Sequence, residues 1–360
     1  MGNERETLKE LMRELTETPG PSGNEAPVRK VMEKWVKPYA DELTSDGLGS
    51  LIARKGSKGP RVMIAGHLDE IGFMVTRITD EGFLKFETLG GWVTHMMLSQ
   101  RVEVMTDKGI ILGVIGSVPP HIMTAEQRKK SFQMSELFID IGAKDREHAE
   151  EMGVRQGDTV VPYSPFTEMN GTDMWLGKAF DNRIGCAVAV EVMRQLQNEA
   201  LPNALYSVGT VQEEVGCRGA RTSAAAIQPD IAFAVDVGIA GDTPGVKADD
   251  APIKVGEGPA LVLVDGGHVV HRGLLRFVQQ TAEEAGIPVQ YEWMNGGATD
   301  ASYIHLNNSG VPTISISVPT RYIHGHTAMV LKDDIEQVVA LLTAVIRKLD
   351  EQAVKQILEQ

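Results

Sequence analysis

A chain of 360 residues exceeds the size at which a single hydrophobic core usually stops growing, so two domains are expected. A hydrophobic fraction of 42% and a charged fraction of 23% are ordinary for a globular protein, and no repeat or low-complexity tract suggests a solenoid. The net charge of -14 argues against a nucleic-acid surface, which needs concentrated positive charge, and no uncharged run is long enough to span a membrane.

The charged start, Met1-Gly2-Asn3-Glu4-Arg5-Glu6, lacks the apolar stretch of a signal peptide, which points to cytoplasmic residence. Leu8, Leu11, Met12 and Leu15 recur at helical spacing, and Pro19-Gly20-Pro21-Ser22-Gly23 ends that helix. A second helix carries Val28, Met32, Trp35 and Val36, and short strands are expected over 48–53 and 62–65. From 71 to 163 the texture changes to short alternating strands separated by turns such as Thr79-Asp80-Glu81-Gly82 and Thr106-Asp107-Lys108-Gly109. Within it, 119–136 is polar and basic and reads as a mobile loop.

From Asp181 onward helices and strands alternate: a helix over 184–196, strands over 204–211 and 231–235, a helix over 274–285, strands over 289–293 and 313–318, and a last helix from 334 to about 355. This order is that of an α/β fold with a mostly parallel sheet sandwiched by helices. The expected division is a discontinuous catalytic domain, 1–70 and 164–360, interrupted by a β-rich, barrel-like domain over 71–163. Cys186 and Cys217 show no CxxC spacing and read as buried small residues rather than as a disulfide or thiolate site.

Glu213-Glu214 follows the apolar run 205–211 after Gln212, and buried strands rarely end in two charges. Similar events place His67 and Asp69 after 62–65, Asp236 after 231–235 and His324 after 313–318, while Asp181 precedes an apolar helix. In open α/β sheets ligands gather beyond the carboxyl ends of strands, so these residues are expected to converge. Imidazole and carboxylate donors suit zinc, cobalt or manganese better than calcium or an iron-sulfur cluster. Two histidines, two terminal acids and one bridging carboxylate would hold two ions and leave one glutamate free. Glu213 is the candidate general base, Glu214 a metal donor, and Asp69 an acid that fixes the His67 tautomer.

Each residue taken singly has an ordinary explanation: a solvated Glu-Glu, a surface His-x-Asp, a helix cap at Asp181. Either His324 or His326 could be the donor on local grounds. Gly296-Gly297-Ala298-Thr299-Asp300 reads equally as a substrate-contacting turn or a capped helix start. His95, His148, His268, His271 and His305 share no strand-end context with the acids, whereas His121 lies in the inserted segment, where it could reach an active site across a subunit boundary.

Ala65-Gly66-His67-Leu68-Asp69-Glu70-Ile71-Gly72, Gly90-Gly91-Trp92, Pro119-Pro120-His121, Lys178-Ala179-Phe180-Asp181-Asn182-Arg183, Val211-Gln212-Glu213-Glu214-Val215-Gly216, Asp236-Val237-Gly238, Gly297-Ala298-Thr299-Asp300 and Arg321-Tyr322-Ile323-His324 follow one another in order along the chain. This series resembles the tetrahedral, or deblocking, aminopeptidases, a family of two-metal peptidases that includes glutamyl aminopeptidases. The resemblance implies one ion on His67 and Asp236, a second on Glu214 and His324, and Asp181 bridging both. It also implies Glu213 as base, Asp69 orienting His67, and the insertion as a dimerisation domain of homo-oligomers, dimers or dodecamers. After His324 many relatives carry Ser-Pro-Val-Glu or similar, where this chain has Gly325-His326-Thr327-Ala328, so the adjoining pocket wall differs.

The expected activity is removal of N-terminal residues from short peptides by metal-activated water. A two-metal deacylase or carboxypeptidase acting on amino-acid amides, and a non-catalytic peptide-binding assembly protein, are the alternatives.

Overall fold

The computed structural model describes residues 2–294 and 296–360; Met1 of the charged start lies outside them. Among the described residues, eleven strands form one mixed sheet and six close into a barrel. At the centre of the sheet Ala204–Thr210, Arg61–His67, Ile231–Ile239 and Thr313–Arg321 lie side by side and parallel. Antiparallel strands extend it on both flanks, through Leu51–Lys55 and Glu42–Ser45 on one side and through Ala328–Leu331 and Met174–Gly177 on the other.

Alternation along the central strands sorts their side chains between two layers. Val62 and Ile64 face one core, Met63 and Ala65 the other; Ile231, Phe233 and Val235 share the first, Ala232 the second. The larger core lies under helices Gly2–Glu17, Ala26–Val36, Phe180–Gln195, Arg272–Ala285, Lys332–Lys348 and Glu351–Leu358. Arg218–Ile227 and Ala301–Ile304 cover the opposite face. The helix Phe180–Gln195 is buried on every side over Ile184 to Met193, as a run apolar except for Glu191 requires, and that Glu191 is neutralised by Arg194 at 2.7 Å.

The barrel runs Gly72–Ile78, Leu84–Leu89, Phe138–Asp140, Gly109–Gly116, Arg101–Thr106 and Thr159–Pro162, the last closing on the first. Phe73, Phe86, Val102, Val104, Ile139 and Val160 fill its interior. The segment expected as a loop over 119–136 carries 3-10 turns at Pro120–Ile122, Gln127–Lys129 and Met134–Glu136 and no strand.

Three local expectations are corrected. The strand placed at 48–53 runs Leu51–Lys55, because the Asp46 carboxylate accepts the amides of Leu48, Gly49 and Ser50 and folds them into a turn. The final helix breaks at Leu349, where Asp350 caps a new helix by accepting the Ala353 amide at 2.8 Å. Asp236 does not follow its strand but lies within Ile231–Ile239.

Candidate metal centre

The register of the parallel strands brings their carboxyl ends level. Thr210 lies opposite His67, and Asp236 opposite Ser317, so the segments that follow them open onto one place. The buried helix carrying Asp181 must come very close to these strands. A Cβ on Gly66 would stand 2.3 Å from the Gly185 carbonyl carbon, and one on Gly185 would stand 2.4 Å from the Val235 oxygen, so both positions require glycine. Asp181 and Asn182 carry non-helical backbone angles at the start of that helix, so a kink rather than a regular helix terminus presents the Asp181 carboxylate. Asn182 anchors the kink by donating to the Val235 carbonyl at 2.7 Å, one residue before Asp236.

Both imidazoles have a defined orientation. Nδ1 of His67 lies 3.0 Å from the Asp69 carbonyl and Nδ1 of His324 lies 2.9 Å from the Gly91 carbonyl. A carbonyl oxygen only accepts, so each Nδ1 bears hydrogen and each Nε2 points at the acids. Nε2 of His67 stands 3.2 Å from Asp181 Oδ1 and 3.9 Å from Asp236 Oδ1. Nε2 of His324 stands 3.4 Å from Asp181 Oδ2 and 3.8 Å from Glu214 Oε2. Asp181 therefore gives one oxygen to each histidine and belongs to two donor groups, His67-Asp181-Asp236 and Asp181-Glu214-His324.

These groups fit divalent ions. Donors bound tetrahedrally at about 2.1 Å sit about 3.4 Å apart, and the separations above bracket that value. Glu214 Oε1 is buried with no hydrogen-bond partner, an arrangement that costs stability unless a cation or proton serves it. Charge points the same way. Glu214 is pushed up to about 8 by burial and by Asp181, and Asp236 to about 8 by burial and, against the pull of His67, by Asp181. His324 is raised to about 10 by its hydrogen bond to Asp181, and His67 is held well above the usual imidazole range because Glu213 and the Asp181 and Asp69 bonds outweigh its burial. Burial acts against the Asp181 charge as well, yet hydrogen bonds from His324 and His67 hold that carboxyl well below its ordinary range. A cluster that retains protons this strongly suits a divalent cation.

Glu213 stands apart from both groups. Its Oε2 is 3.7 Å from His67 Nε2, and its Oε1 accepts from the Cys217 thiol at 3.2 Å. Burial raises Glu213 well above the carboxylate range, with Asp236 and Asp300 adding to the effect against the pull of His67. Glu213 and donors from both groups line a cavity of about 490 Å³. Asp69, fully buried, accepts the amides of Glu213 and Glu214 and the Ser22 hydroxyl, so it positions the glutamate pair as well as the His67 loop.

A buried clamp braces the same loops. Glu70 accepts from Lys178 at 2.7 Å, from Arg183 at 3.2 Å and from the Gly20 amide at 3.1 Å, joining the segment after His67 to those flanking Asp181.

Other sequence candidates fall elsewhere. Both ring nitrogens of His326 are buried without partners; the ring packs edge-on against Trp92 at 5.4 Å and belongs to neither donor group. Asp300 makes no capping bond to the helix it precedes but accepts from Thr210, while Gly296 to Thr299 line the cavity. His271 caps the helix Arg272–Ala285, and His268 packs against His305. His121 is exposed and does not line this cavity within one chain. Two contributors escaped the sequence reading: the Cys217 thiol on Glu213 and the Gly91 carbonyl on His324. Gly90-Gly91-Trp92 was visible as a motif, but nothing in it announced a carbonyl aimed at a histidine on a distant segment.

A family model described as M42 glutamyl aminopeptidase matches residues 49–341. The chain belongs to this family. It is thus a peptidase, a hydrolase of peptide bonds. Its fold is similar to that of the TET aminopeptidase from the marine sediment archaeon Thaumarchaeota archaeon SCGC AB-539-E09, with 44% identity and a TM-score of 0.96 over 98% of this chain and 99% of that one. The glutamyl aminopeptidase of Lactococcus lactis subsp. cremoris (strain MG1363) is 36% identical, covering 97% of this chain and 99% of the relative. The Pyrococcus horikoshii TET1 peptidase, described as able to assemble into a tetrahedron or a large octahedral shell, shares 34% identity and a TM-score of 0.86 over 95% of this chain and 100% of that one. The mixed sheet with its inserted barrel is the fold of these M42 peptidases.

Proposed function

We propose that the chain is a metal-dependent aminopeptidase that hydrolyses N-terminal residues from short peptides. The observation that carries this reading is Asp181, which shares its two oxygens between the two histidine-bearing groups beside a cavity that Glu213 also lines. His67 and Asp236 would hold one divalent ion, Glu214 and His324 a second, with Asp181 bridging; zinc or cobalt fits these donors, and manganese is acceptable. Such ions, when bound, polarise the scissile carbonyl and acidify water. Glu213, outside both donor groups, accepts a proton from the attacking water and delivers it to the leaving amine. Asp69 fixes the geometry of His67 and of both glutamates.

The division into a catalytic part, 1–70 with 164–360, and a dimerisation part, 71–163, belongs to the same proposal. Ile110, Leu112 and Val114 alternate outward from one barrel strand and are followed by exposed Val118 and Ile122, a surface suited to burial against a second copy. We place the chain in homo-oligomers, dimers or dodecamers, acting on cytoplasmic peptides; no described helix is long and apolar enough to cross a membrane.

The test is release of the first residue from free-amine and N-acetylated peptides, before and after chelation. Turnover of the free-amine peptide alone, lost with chelator and regained with zinc, cobalt or manganese, is expected. Turnover of the blocked peptide would favour the deacylase reading.

A further inference from the structure

Resting on that reading, we infer that the cavity selects peptides whose N-terminal side chain is uncharged and apolar, the class of leucine and methionine. Beyond Glu213 and the donor groups, every described residue lining the cavity is uncharged. Its apolar lining comes from Ile239 and Ala240, after Asp236, from Val246 in the loop beyond, and from Met294, Tyr322 and Ile323.

Several of these side chains are water-exposed where a substrate would cover them: Ile239 by 47%, Val246 by 40% and Tyr322 by 53%. Gly296 and Gly297, which also line the cavity, leave open space, since a Cβ on either would meet nothing within 4 Å. The site thus offers room and apolar surface together. Each substrate methylene that displaces water there is worth about fourfold in affinity.

Four charged groups behind the lining each have a polar partner, although one oxygen of Glu292 and one of Asp300 stay unpaired and buried. Arg321, beside Tyr322, forms a two-pronged pair with Asp242, its Nε 3.0 Å from Oδ1, so its charge is matched before any glutamyl carboxylate arrives. Glu292 lies behind the wall, 2% exposed, and accepts the Ile239 amide at 3.2 Å. Asp265 is buried and accepts the amides of Gly267 and His268, and Asp300 is buried against Thr210. Away from the donor groups and Glu213, a lysyl ammonium or glutamyl carboxylate would lose water against uncharged lining, and sites discriminate most strongly against such unpaired groups.

The experiment compares kcat/KM of the metal-loaded protein on leucyl, methionyl, alanyl, glutamyl and lysyl anilides, alongside Val246→Asp and Val246→Lys. Leucyl and methionyl substrates are expected to exceed glutamyl and lysyl by about tenfold or more, with alanyl below leucyl. Val246→Asp should raise the lysyl-to-glutamyl ratio and Val246→Lys should lower it, an opposite swing that damage to the fold cannot produce. A glutamyl or lysyl optimum in the unsubstituted protein would overturn the inference while leaving the aminopeptidase reading intact. If neither ratio moves, or both move in one direction, the assignment of this wall to the substrate side chain is wrong. Failure to cleave any free-amine substrate with metal bound would instead sink the aminopeptidase reading.

Discussion

Asp69 accepts the backbone amide of Glu213 on one carboxylate oxygen, at 2.9 Å, and that of Glu214 on the other, at 3.1 Å. The same side chain reaches within 3.4 Å of His67 Nδ1, so one buried acid sets the positions of a donor imidazole, a donor carboxylate and the proposed base.

Asp69→Asn retains the shape but replaces one acceptor oxygen with a donor amide. Metal affinity and kcat are both expected to fall by about 10- to 100-fold, the usual effect of removing a group that orients metal ligands. Metal content after dialysis and steady-state kinetics measure the two separately.

Glu213 lies outside both donor groups, so its loss should spare metal binding. Glu213→Gln is expected to bind the ions normally while kcat falls by about 10²- to 10⁴-fold. Near-normal turnover with full metal occupancy would require a different base.

Glu70 is buried against Lys178 and Arg183. Glu70→Gln leaves these cations facing one another in the interior, and breaking such a buried pair costs about 3–5 kcal/mol. The urea midpoint should drop accordingly. Because the clamp ties the loop after His67 to the loop around Asp181, metal affinity should weaken too.

Protonation of the centre predicts how the chelated protein responds to pH. Glu214 and Asp236, both raised to about 8 from 4.5 and 3.8, and His324, raised to about 10 from 6.5, bind more protons folded than unfolded. For each, the folded state gains stability below its ordinary value and loses it as pH rises toward the folded one. Between about pH 6 and pH 9 the contributions share a sign, so Tm of the chelated protein should fall. Asp181 has the opposite sign, confined to pH below its ordinary 3.8. Zinc should flatten or reverse the slope, because an ion replaces those protons and binds more tightly as they leave. Differential scanning fluorimetry across this range, with chelator and with zinc, decides it.

Much of this arrangement was legible before any coordinates. Apolar runs that lead toward His67, Glu213-Glu214, Asp236 or His324 stand out because a buried parallel strand rarely carries a polar or charged group except where it opens onto a site, as Asp236 does from within Ile231–Ile239. Elements without a strong apolar run were hard to see. The edge strand Glu42–Ser45 is largely exposed and polar, and the helix Arg218–Ile227 buries only a narrow stripe of small residues. Partnerships across long sequence separations were invisible in principle. The approach of Gly91 to His324 spans 233 residues, whereas Cys217 lies close to Glu213 in the chain and its approach was hidden by the left-handed turn at Gly216 and Cys217.

That last contact gives the barrel a second duty. Gly91 leaves the barrel strand that ends at Leu89, and its carbonyl fixes which nitrogen of His324 looks inward. A chain in which a short linker replaced the barrel could keep every rung of the large sheet and still lose this aim. The insert is thus wired to the chemistry through a peptide oxygen, with Trp92 packed on His326 beside it, and a displacement of the barrel would reach the imidazole without crossing the core.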